Sequence, residues 1–211
     1  MFSSTVPGPG RSGRRSGRLG VAAGVLAGAT AIAAGGVPRW ESDLFERVNE
    51  LPRGLEPVLW APMQLGSLVA PVIVAGGTWA AFRRWRPAVG SVVCGVSAWQ
   101  TAKVIKEAIR RGRPKDAVDQ VVTRRGTPTD GLGYVSGHTA VAATLAVVLS
   151  PYLPRPARLA AGAVPVVVAV ARIHVAAHLP LDTVGGAALG IVIGDVFNLV
   201  VGVPHEDRPG R

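Results

Sequence analysis

An arginine, two histidines and an aspartate lie within eleven residues, between two long apolar segments of the chain. They are Arg172, His174, His178 and Asp182. Ionisable groups are costly to remove from water, so an apolar protein keeps them at a membrane edge only where they have a use. A neutral imidazole is a nucleophile, and a carboxylate can orient it. We therefore predict that His178 attacks an anion held by Arg172, and that Asp182 orients His178.

Pro180 lies between His178 and Asp182 and argues against a helix that continues through both residues. We predict that Asp182 is the N-cap of the last helix. From that position its carboxylate can accept the proton on one ring nitrogen of His178. This contact would fix the tautomer and stabilise the positive charge that develops on the ring.

A basic cluster runs from Lys106 to Pro114. Lys106, Arg110 and Arg113 are four and three residues apart, so they share one face of a predicted helix extension. Gly112 and Pro114 are expected to end that helix. Lysine supplies a point charge and arginine a planar fork, and both suit phosphate oxygens. The alternative is a basic helix flank that reaches up to the membrane surface.

A Ser-Gly-His step begins another predicted helix. Ser136 is a natural N-cap, and Gly137 lets a ligand approach the backbone. The free N–H groups and the helix dipole at such an N-terminus favour an anion. His138 lies on the first turn, within reach of that ligand. Taken alone, the Ser-Gly-His sequence favours a structural role, in which the His138 ring is hydrogen-bonded to a loop carbonyl.

Together the three clusters resemble the signature of the type-2 phosphatidic acid phosphatase superfamily. That signature is Lys, six residues, Arg-Pro; then Pro-Ser-Gly-His; then Ser-Arg, five residues, His, three residues, Asp. The matching residues are Lys106, Arg113, Pro114, Ser136, Gly137, His138, Arg172, His178 and Asp182, in the same order and with the same internal spacings. Val135 stands where proline is usual and Ala171 where serine is usual. We expect the first change to reduce rigidity and the second to remove one hydroxyl from the phosphate shell.

The resemblance implies a phosphatase that works without a metal or other cofactor. His178 would attack phosphorus and form a phosphohistidine, His138 would protonate the leaving oxygen, and water would hydrolyse the intermediate. The residues expected to bind the phosphate are Lys106, Arg113, Arg172, Ser136 and Gly137. The sequence has no acidic cluster suited to Mg²⁺ and no Cys/His set suited to zinc.

The elements that position these groups are apolar enough for a membrane. The 211 residues are 48% hydrophobic and only 17% charged, which is unlike a soluble domain of this size. The net charge of +10 is mostly arginine and points to anionic membrane surfaces or phosphate-bearing substrates. Nucleic acid is disfavoured because the arginines are scattered between apolar segments and form no aromatic-laced stripe. Cys94 is the only cysteine, so an intrachain disulfide is impossible.

Six apolar segments predict an all-α, polytopic membrane protein. They cover about 20–36, 64–82, 88–106, 136–150, 157–176 and 182–203, each close to the ~20 residues that cross hydrocarbon. We expect a six-transmembrane bundle over residues 20–203, with the active site in the loops joining helices 3 and 4 and helices 5 and 6. Residues 1–19 are expected to form a disordered basic tail, and residues 204–211 a polar tail.

Two segments allow alternatives. The first apolar segment also fits a cleaved signal peptide, with Ala31-Ile-Ala33 as a possible cleavage site. Residues 39–56 predict a short amphipathic helix with Trp40, Leu44, Val48 and Leu51 on its apolar face. That helix lies either on the bilayer surface or packed over the loops. Within the last helix, Asp195 is predicted to be a paired structural acid.

Six crossings put both termini on one face of the membrane. A raw count of Lys and Arg does not separate the faces, because 106–125 is as basic as the opposite loops. We assign much of the basic set at 106–125 to phosphate binding. The N-terminal arginines and the arginines at 83–86 and 155–158 then remain as the positive-inside signal. We therefore expect cytoplasmic termini and an active site that faces outward from the plasma membrane.

The predicted function is hydrolysis of a lipid phosphate or diphosphate at the bilayer. Polyprenyl diphosphate is the favoured substrate, followed by phosphatidic acid or phosphatidylglycerol phosphate. The expected partners are the bilayer and the phosphorylated lipid, and the oligomeric state is left open. The alternative is a non-catalytic membrane scaffold or transporter subunit that binds anionic headgroups. Such a binder needs arginines but has no use for the His138, His178 and Asp182 set.

Overall fold

The computed structural model describes residues 11–203, and within that range every regular element is helical. Its helices are α1 (Arg11–Ala34), α2 (Arg39–Asn49), α3 (Glu56–Met63), α4 (Ala70–Phe82), α5 (Trp85–Ile109), α6 (Gly137–Leu149), α7 (Arg155–His174) and α8 (Pro180–Val200). Short 3₁₀ turns cover 53–55, 64–66, 114–116 and 150–152. The predicted polar tail at 204–211 and the first ten residues of the predicted basic tail lie outside the described range.

The prediction of an all-α membrane protein is confirmed. By length and composition, four helices of the described range can cross a bilayer: α1, α5, α7 and α8. Residues 53–66 and α4 form a pair bent by 77° that makes a fifth possible span. This count is lower than the six predicted spans. The difference lies in α4 and α6, which have 13 residues each and are about 20 Å long by helical rise.

The second predicted span is shortened at its start. We expected Pro71 to kink a helix over 64–82, but it lies in the first turn of α4. A proline is tolerated there because the N–H it lacks would have no partner within the helix. Pro71 therefore marks the beginning of a shorter helix, and the residues before it form the bent segment.

Helix α6 lies at the centre of the bundle, between α5, α7 and α8, and ten of its residues are buried. It packs closely against α8 because α8 presents glycine where the two helices meet. A Cβ at Gly186 would collide with the carbonyl oxygen of Ser136, and one at Gly190 with that of Ala140. Small residues allow such close approach of membrane helices.

Helix α1 begins at Arg11, so the prediction of a disordered tail is wrong for residues 11–19. The physical reason is an ion pair between a half-exposed arginine of α1 and a buried acid of α8. Arg18 Nε donates to Asp195 Oδ2 at 2.8 Å, and its Nη2 pairs with Oδ1. Asp195 is fully buried on α8, which agrees with the predicted paired structural acid.

We expect Arg18→Ala to destabilise the protein, because it leaves the buried Asp195 carboxylate without its cation. Arg18 is itself 45% exposed, so we estimate a cost of about 2 kcal/mol, between that of a surface pair and that of a fully buried pair. The melting temperature in detergent should then fall by roughly 4–8 °C. The double variant Arg18→Ala/Asp195→Asn should regain most of this loss. A single variant that melts with the wild-type protein would contradict the role of the pair.

Helix α2 packs over the loops, so the second alternative for residues 39–56 is correct. It buries Glu41, Phe45 and Asn49, while Trp40 and Leu44 remain about half exposed. Asn49 Nδ2 donates to the carbonyl oxygens of Val122 and His174, at 2.9 Å each. The buried stripe is therefore turned by about one residue from the predicted apolar face. The helix covers the long loop between α5 and α6.

Candidate active site

Helices α5 and α7 end, and α6 and α8 begin, at the same end of the bundle. A main-chain bond joins two of these starts, because Ser136 N–H donates to the Asp182 carbonyl oxygen at 2.8 Å. A second bond joins the two ends of the loop between α5 and α6, with Gly133 N–H donating to the Arg111 carbonyl oxygen at 2.8 Å. The three predicted clusters therefore meet at one place.

Two cations fix this loop through backbone carbonyls. Lys106 Nζ donates to Leu132 at 2.9 Å and to Gly133 at 2.6 Å. Arg113 Nε donates to Asp130 at 2.9 Å, and its Nη1 donates to Ala177 at 2.7 Å. The bond to Ala177 reaches the residue just before His178. The basic cluster and the histidine cluster are thus held together directly.

The end of α5 differs from the prediction. The helix ends at Ile109, and Arg110 adopts the left-handed conformation with φ 53°. This reverses the chain three residues before Arg113, so Gly112 and Pro114 do not end the helix. Arg110 is exposed, and it does not share a face with Lys106 and Arg113 as predicted. The turn directs Arg111 and Arg113 inward instead.

A cavity of about 610 Å³ opens at this end of the bundle. Six of the eight predicted site residues line it: Lys106, Arg113, Gly137, His138, Arg172 and His178. Its other wall is formed by α5, including Trp99, Lys103 and Val104. The His138 ring lies against Trp99, with the ring centroids 5.7 Å apart. The cavity therefore combines two imidazoles and four cations with the carboxylate of Glu107 and an apolar side.

Ser136 and Asp182 do not line this cavity. Both are fully buried beneath it. Ser136 caps α6 as predicted, since its Oγ accepts from Thr139 N–H at 3.4 Å and from Thr139 Oγ1 at 3.0 Å. The two positions that depart from the signature, Val135 and Ala171, are also fully buried and pack in apolar clusters.

Asp182 lies in the first turn of α8 and is not its N-cap, which corrects the prediction. Helix α8 begins at Pro180, with Leu179 as the N-cap. Proline is well placed at the first helical position, where its missing N–H costs nothing. Asp182 Oδ2 accepts from Leu179 N–H at 2.9 Å, closing the turn as an acidic third residue does in a capping box. The same oxygen lies 3.4 Å from His178 Nδ1, a contact longer than a normal hydrogen bond.

His178 is neutral in this environment. Burial holds its pKa well below the ordinary value, and the nearby cations Lys106, Arg172 and Arg113 lower it further. Only an unprotonated ring nitrogen can attack phosphorus. The surroundings of His178 therefore favour the nucleophilic form of the imidazole.

Arg172 is buried, and its guanidinium makes only weak contacts with the protein. Its Nη1 lies 3.7 Å from Met63 Sδ and 3.5 Å from the Gly126 carbonyl oxygen. Its Nε has no hydrogen-bond partner in the described part of the chain. Arg172 also lines the cavity, so an anion bound there can accept from a guanidinium that has no strong partner in the protein.

Two buried charges that the sequence did not predict as site residues, Arg111 and Glu41, lie behind Asp182. Arg111 Nη1 donates to Asp182 Oδ1 at 2.9 Å and to Glu41 Oε1 at 3.1 Å. Arg111 Nη2 pairs with the other oxygen of Glu41 and donates to the Gly36 carbonyl oxygen at 3.0 Å. A sequence signal existed, because Glu41 is four residues before Phe45 and eight before Asn49. At these spacings the Glu41 carboxylate lies on the same helix face as the buried residues, and a buried carboxylate needs a buried partner.

Comparison with known proteins places the fold. Residues 64–203 match the PAP2 superfamily, and this range contains every predicted site residue. The chain belongs to the PAP2 superfamily. The resemblance predicted from the three clusters is thereby confirmed, as is the prediction of an enzyme of the phosphatase class. No curated protein matches the sequence.

Two solved PAP2 structures share the architecture. One is the first transmembrane PAP2-type phosphatidylglycerolphosphate phosphatase from Bacillus subtilis, with a TM-score of 0.67 and 19% identity, covering 85% of this chain and 95% of that one. The other is LpxE from Aquifex aeolicus, with a TM-score of 0.63 and 20% identity, covering 76% of this chain and 95% of that one. At this identity the likeness concerns the fold alone.

Proposed function

We propose that this PAP2 protein hydrolyses a lipid phosphate or diphosphate through a phosphohistidine on His178. The observation that carries the proposal is the single cavity lined by His138, His178 and three cations. A headgroup-binding scaffold or transporter subunit needs the cations but gains nothing from a buried neutral imidazole backed by a carboxylate.

The proposed reaction has two steps. The His178 nitrogen that faces away from Asp182 attacks phosphorus, and the bond from phosphorus to the leaving oxygen breaks. His138, acting in its protonated form, gives its proton to that oxygen. Water then attacks phosphorus, the bond from phosphorus to the His178 nitrogen breaks, His138 takes up a proton from the water, and inorganic phosphate leaves.

Lys106, Arg113 and Arg172 are proposed to bind the phosphoryl oxygens. Each keeps a donor for this purpose: Lys106 uses two of three N–H groups on carbonyls, and Arg113 uses two of five. Arg172 lines the cavity, and its Nη1 makes only long contacts with the protein. The Gly137 N–H at the start of α6 adds a backbone donor. Ser136 supports this cradle by capping α6 from below the cavity.

A lipid is favoured over a soluble ester because α5 forms one wall of the cavity. Helix α5 is a candidate span, and its Val104 is 68% exposed beside the cavity. An apolar tail can lie along that surface while the phosphate reaches the cations. The same wall carries Lys103 and Glu107, one charge of each sign. The three phosphate-binding cations together with Lys103 suit the two phosphates of a polyprenyl diphosphate. The second candidate is phosphatidylglycerolphosphate, on which the Bacillus subtilis protein acts.

The proposed topology has six crossings over residues 20–203. Four are the longer spans α1, α5, α7 and α8. The other two are the bent segment together with α4, and the short α6. The end of the bundle away from the cavity carries Arg83, Arg84, Arg86, Arg155 and Arg158. A basic face of this kind is typical of the cytoplasmic side. We therefore propose cytoplasmic termini and a cavity that opens outward from the plasma membrane.

A substrate panel tests this function. Purified protein in detergent, with EDTA present throughout, is given a prenyl diphosphate, phosphatidylglycerol phosphate, phosphatidic acid and p-nitrophenyl phosphate. We expect kcat/KM for the prenyl diphosphate to exceed that for the soluble ester at least ~10-fold, since binding of the tail contributes more than about 1.4 kcal/mol.

Each result of the panel has a defined meaning. Equal hydrolysis of the soluble ester would contradict a lipid substrate, and preference for phosphatidylglycerol phosphate would select the second candidate. Absence of phosphate release from all four compounds would favour the scaffold. Activity that appears only when EDTA is replaced by a divalent metal would contradict the proposed chemistry.

A further inference from the structure

We propose that Glu41 and Arg111 are positioning residues that control the charge and orientation of the Asp182–His178 pair. This inference rests on the proposed function and adds two residues to it. Glu41 precedes the range that matches the PAP2 superfamily, so this part of the site comes from the N-terminal portion of the chain.

The three charges form one buried network. Glu41 and Asp182 are both fully buried, and the Arg111 side chain is 4% exposed. Both oxygens of Glu41 are used: Oε1 accepts from Arg111 and from Leu181 N–H at 2.8 Å, and Oε2 pairs with Arg111. Burial of three charges is costly unless each is paired, and here the planar guanidinium meets both carboxylates.

The network fixes the segment that carries His178. Glu41 holds Leu181, in the first turn of α8, and Arg111 holds the carboxylate of Asp182. Arg111 also donates to Gly36, in the turn between α1 and α2. The oxygen of Asp182 that faces His178 is not the one that Arg111 binds. Arg111 therefore orients the carboxylate so that its second oxygen, which also accepts from Leu179 N–H, lies beside the imidazole.

Charge explains why Glu41 is needed as well as Arg111. Asp182 and Arg111 alone would form a neutral pair with little attraction for a developing imidazolium. Glu41 neutralises the guanidinium, so the network keeps one net negative charge beside His178. Attack on phosphorus places positive charge on that ring, and the network is negative where that charge appears. The contribution is made in the reaction step and not in phosphate binding.

We expect loss of this network to change kcat without changing KM. We expect Glu41→Gln to lower kcat about 10- to 100-fold, the range seen when a supporting residue behind a ligand group is removed. KM should stay within about threefold, because the phosphate-binding cations are untouched. Both constants are measured on the best substrate of the panel, per folded molecule as judged by gel filtration and thermal melting. Asp43→Asn is the matched control, since Asp43 is exposed on the same helix.

Arg111→Lys provides a second variant that keeps the buried cation. Lysine cannot bind two carboxylates with one planar fork, so we again expect kcat to fall at unchanged KM. Unchanged kcat in folded Glu41→Gln or folded Arg111→Lys would overturn the positioning role. A change confined to KM, or to melting temperature alone, would overturn it too. A wild-type protein without turnover would overturn the proposed function, and the positioning role with it.

Discussion

His178→Ala is expected to abolish phosphate release while leaving the protein folded. In the proposed reaction His178 forms the bond to phosphorus, and no neighbouring group can replace it. Removing the nucleophile of a covalent mechanism costs at least about 10⁴-fold in kcat. The measurement is single-turnover and steady-state phosphate release from the detergent-purified variant, with the melting temperature recorded on the same sample.

A matched control separates chemistry from folding. His174 is also a buried histidine, four residues earlier, but its Nδ1 bonds the Val48 carbonyl oxygen at 3.2 Å and it does not line the cavity. His174→Gln should therefore keep kcat within about tenfold per folded molecule, as expected for a residue outside the reacting groups. Full activity of folded His178→Ala would remove this residue from the mechanism.

Arg172→Ala should have the second largest effect, on both binding and turnover. The buried Arg172 lines the cavity and its Nη1 makes only long contacts with the protein, so phosphate is expected to be its main partner. Loss of one such donor from a transition-state site typically costs about 10²–10³-fold in kcat. We expect Arg172→Lys to recover part of this loss, because lysine restores the charge without the planar fork. Steady-state kinetics on the preferred lipid measures both constants.

Arg155→Ala is the matched control for this change. Arg155 is exposed at the opposite end of the same helix. Its removal should leave kcat/KM within about twofold, as is usual for an isolated surface charge. An Arg172→Ala protein with wild-type kcat/KM would show that the cavity does not bind the phosphate as proposed.

The sequence alone predicted the three chemistry-bearing clusters, because their spacings are local properties of the chain. Lys106 and Arg113 lie seven residues apart, and His178 and Asp182 lie four apart, whatever the fold around them. The apolar composition likewise predicted membrane helices, since about 20 residues are needed to cross hydrocarbon. The paired role of Asp195 followed from the same argument, because an acid inside a bundle needs a cation.

Helix boundaries were decided by tertiary contacts that local patterns do not contain. The disordered tail was wrong for 11–19, because Arg18 finds its partner on α8, far along the sequence. The second predicted span was too long because Pro71 begins a helix where a kink was expected. The sequence shows correctly that residues 11–19 are polar and that Pro71 breaks a helix. Whether those residues form a helix, and where the helix begins, depended on the elements that pack against them.

Only the tertiary structure revealed what stands behind the candidate nucleophile. The sequence placed Asp182 beside His178. Glu41 and Arg111, however, lie 141 and 71 positions before Asp182, and no rule of local spacing connects these two residues to Asp182. Their roles depend on α2 folding over the loop between α5 and α6, which brings both carboxylates to one guanidinium. Local order determines which groups can react, whereas buried charge pairing between distant segments decides how they are held.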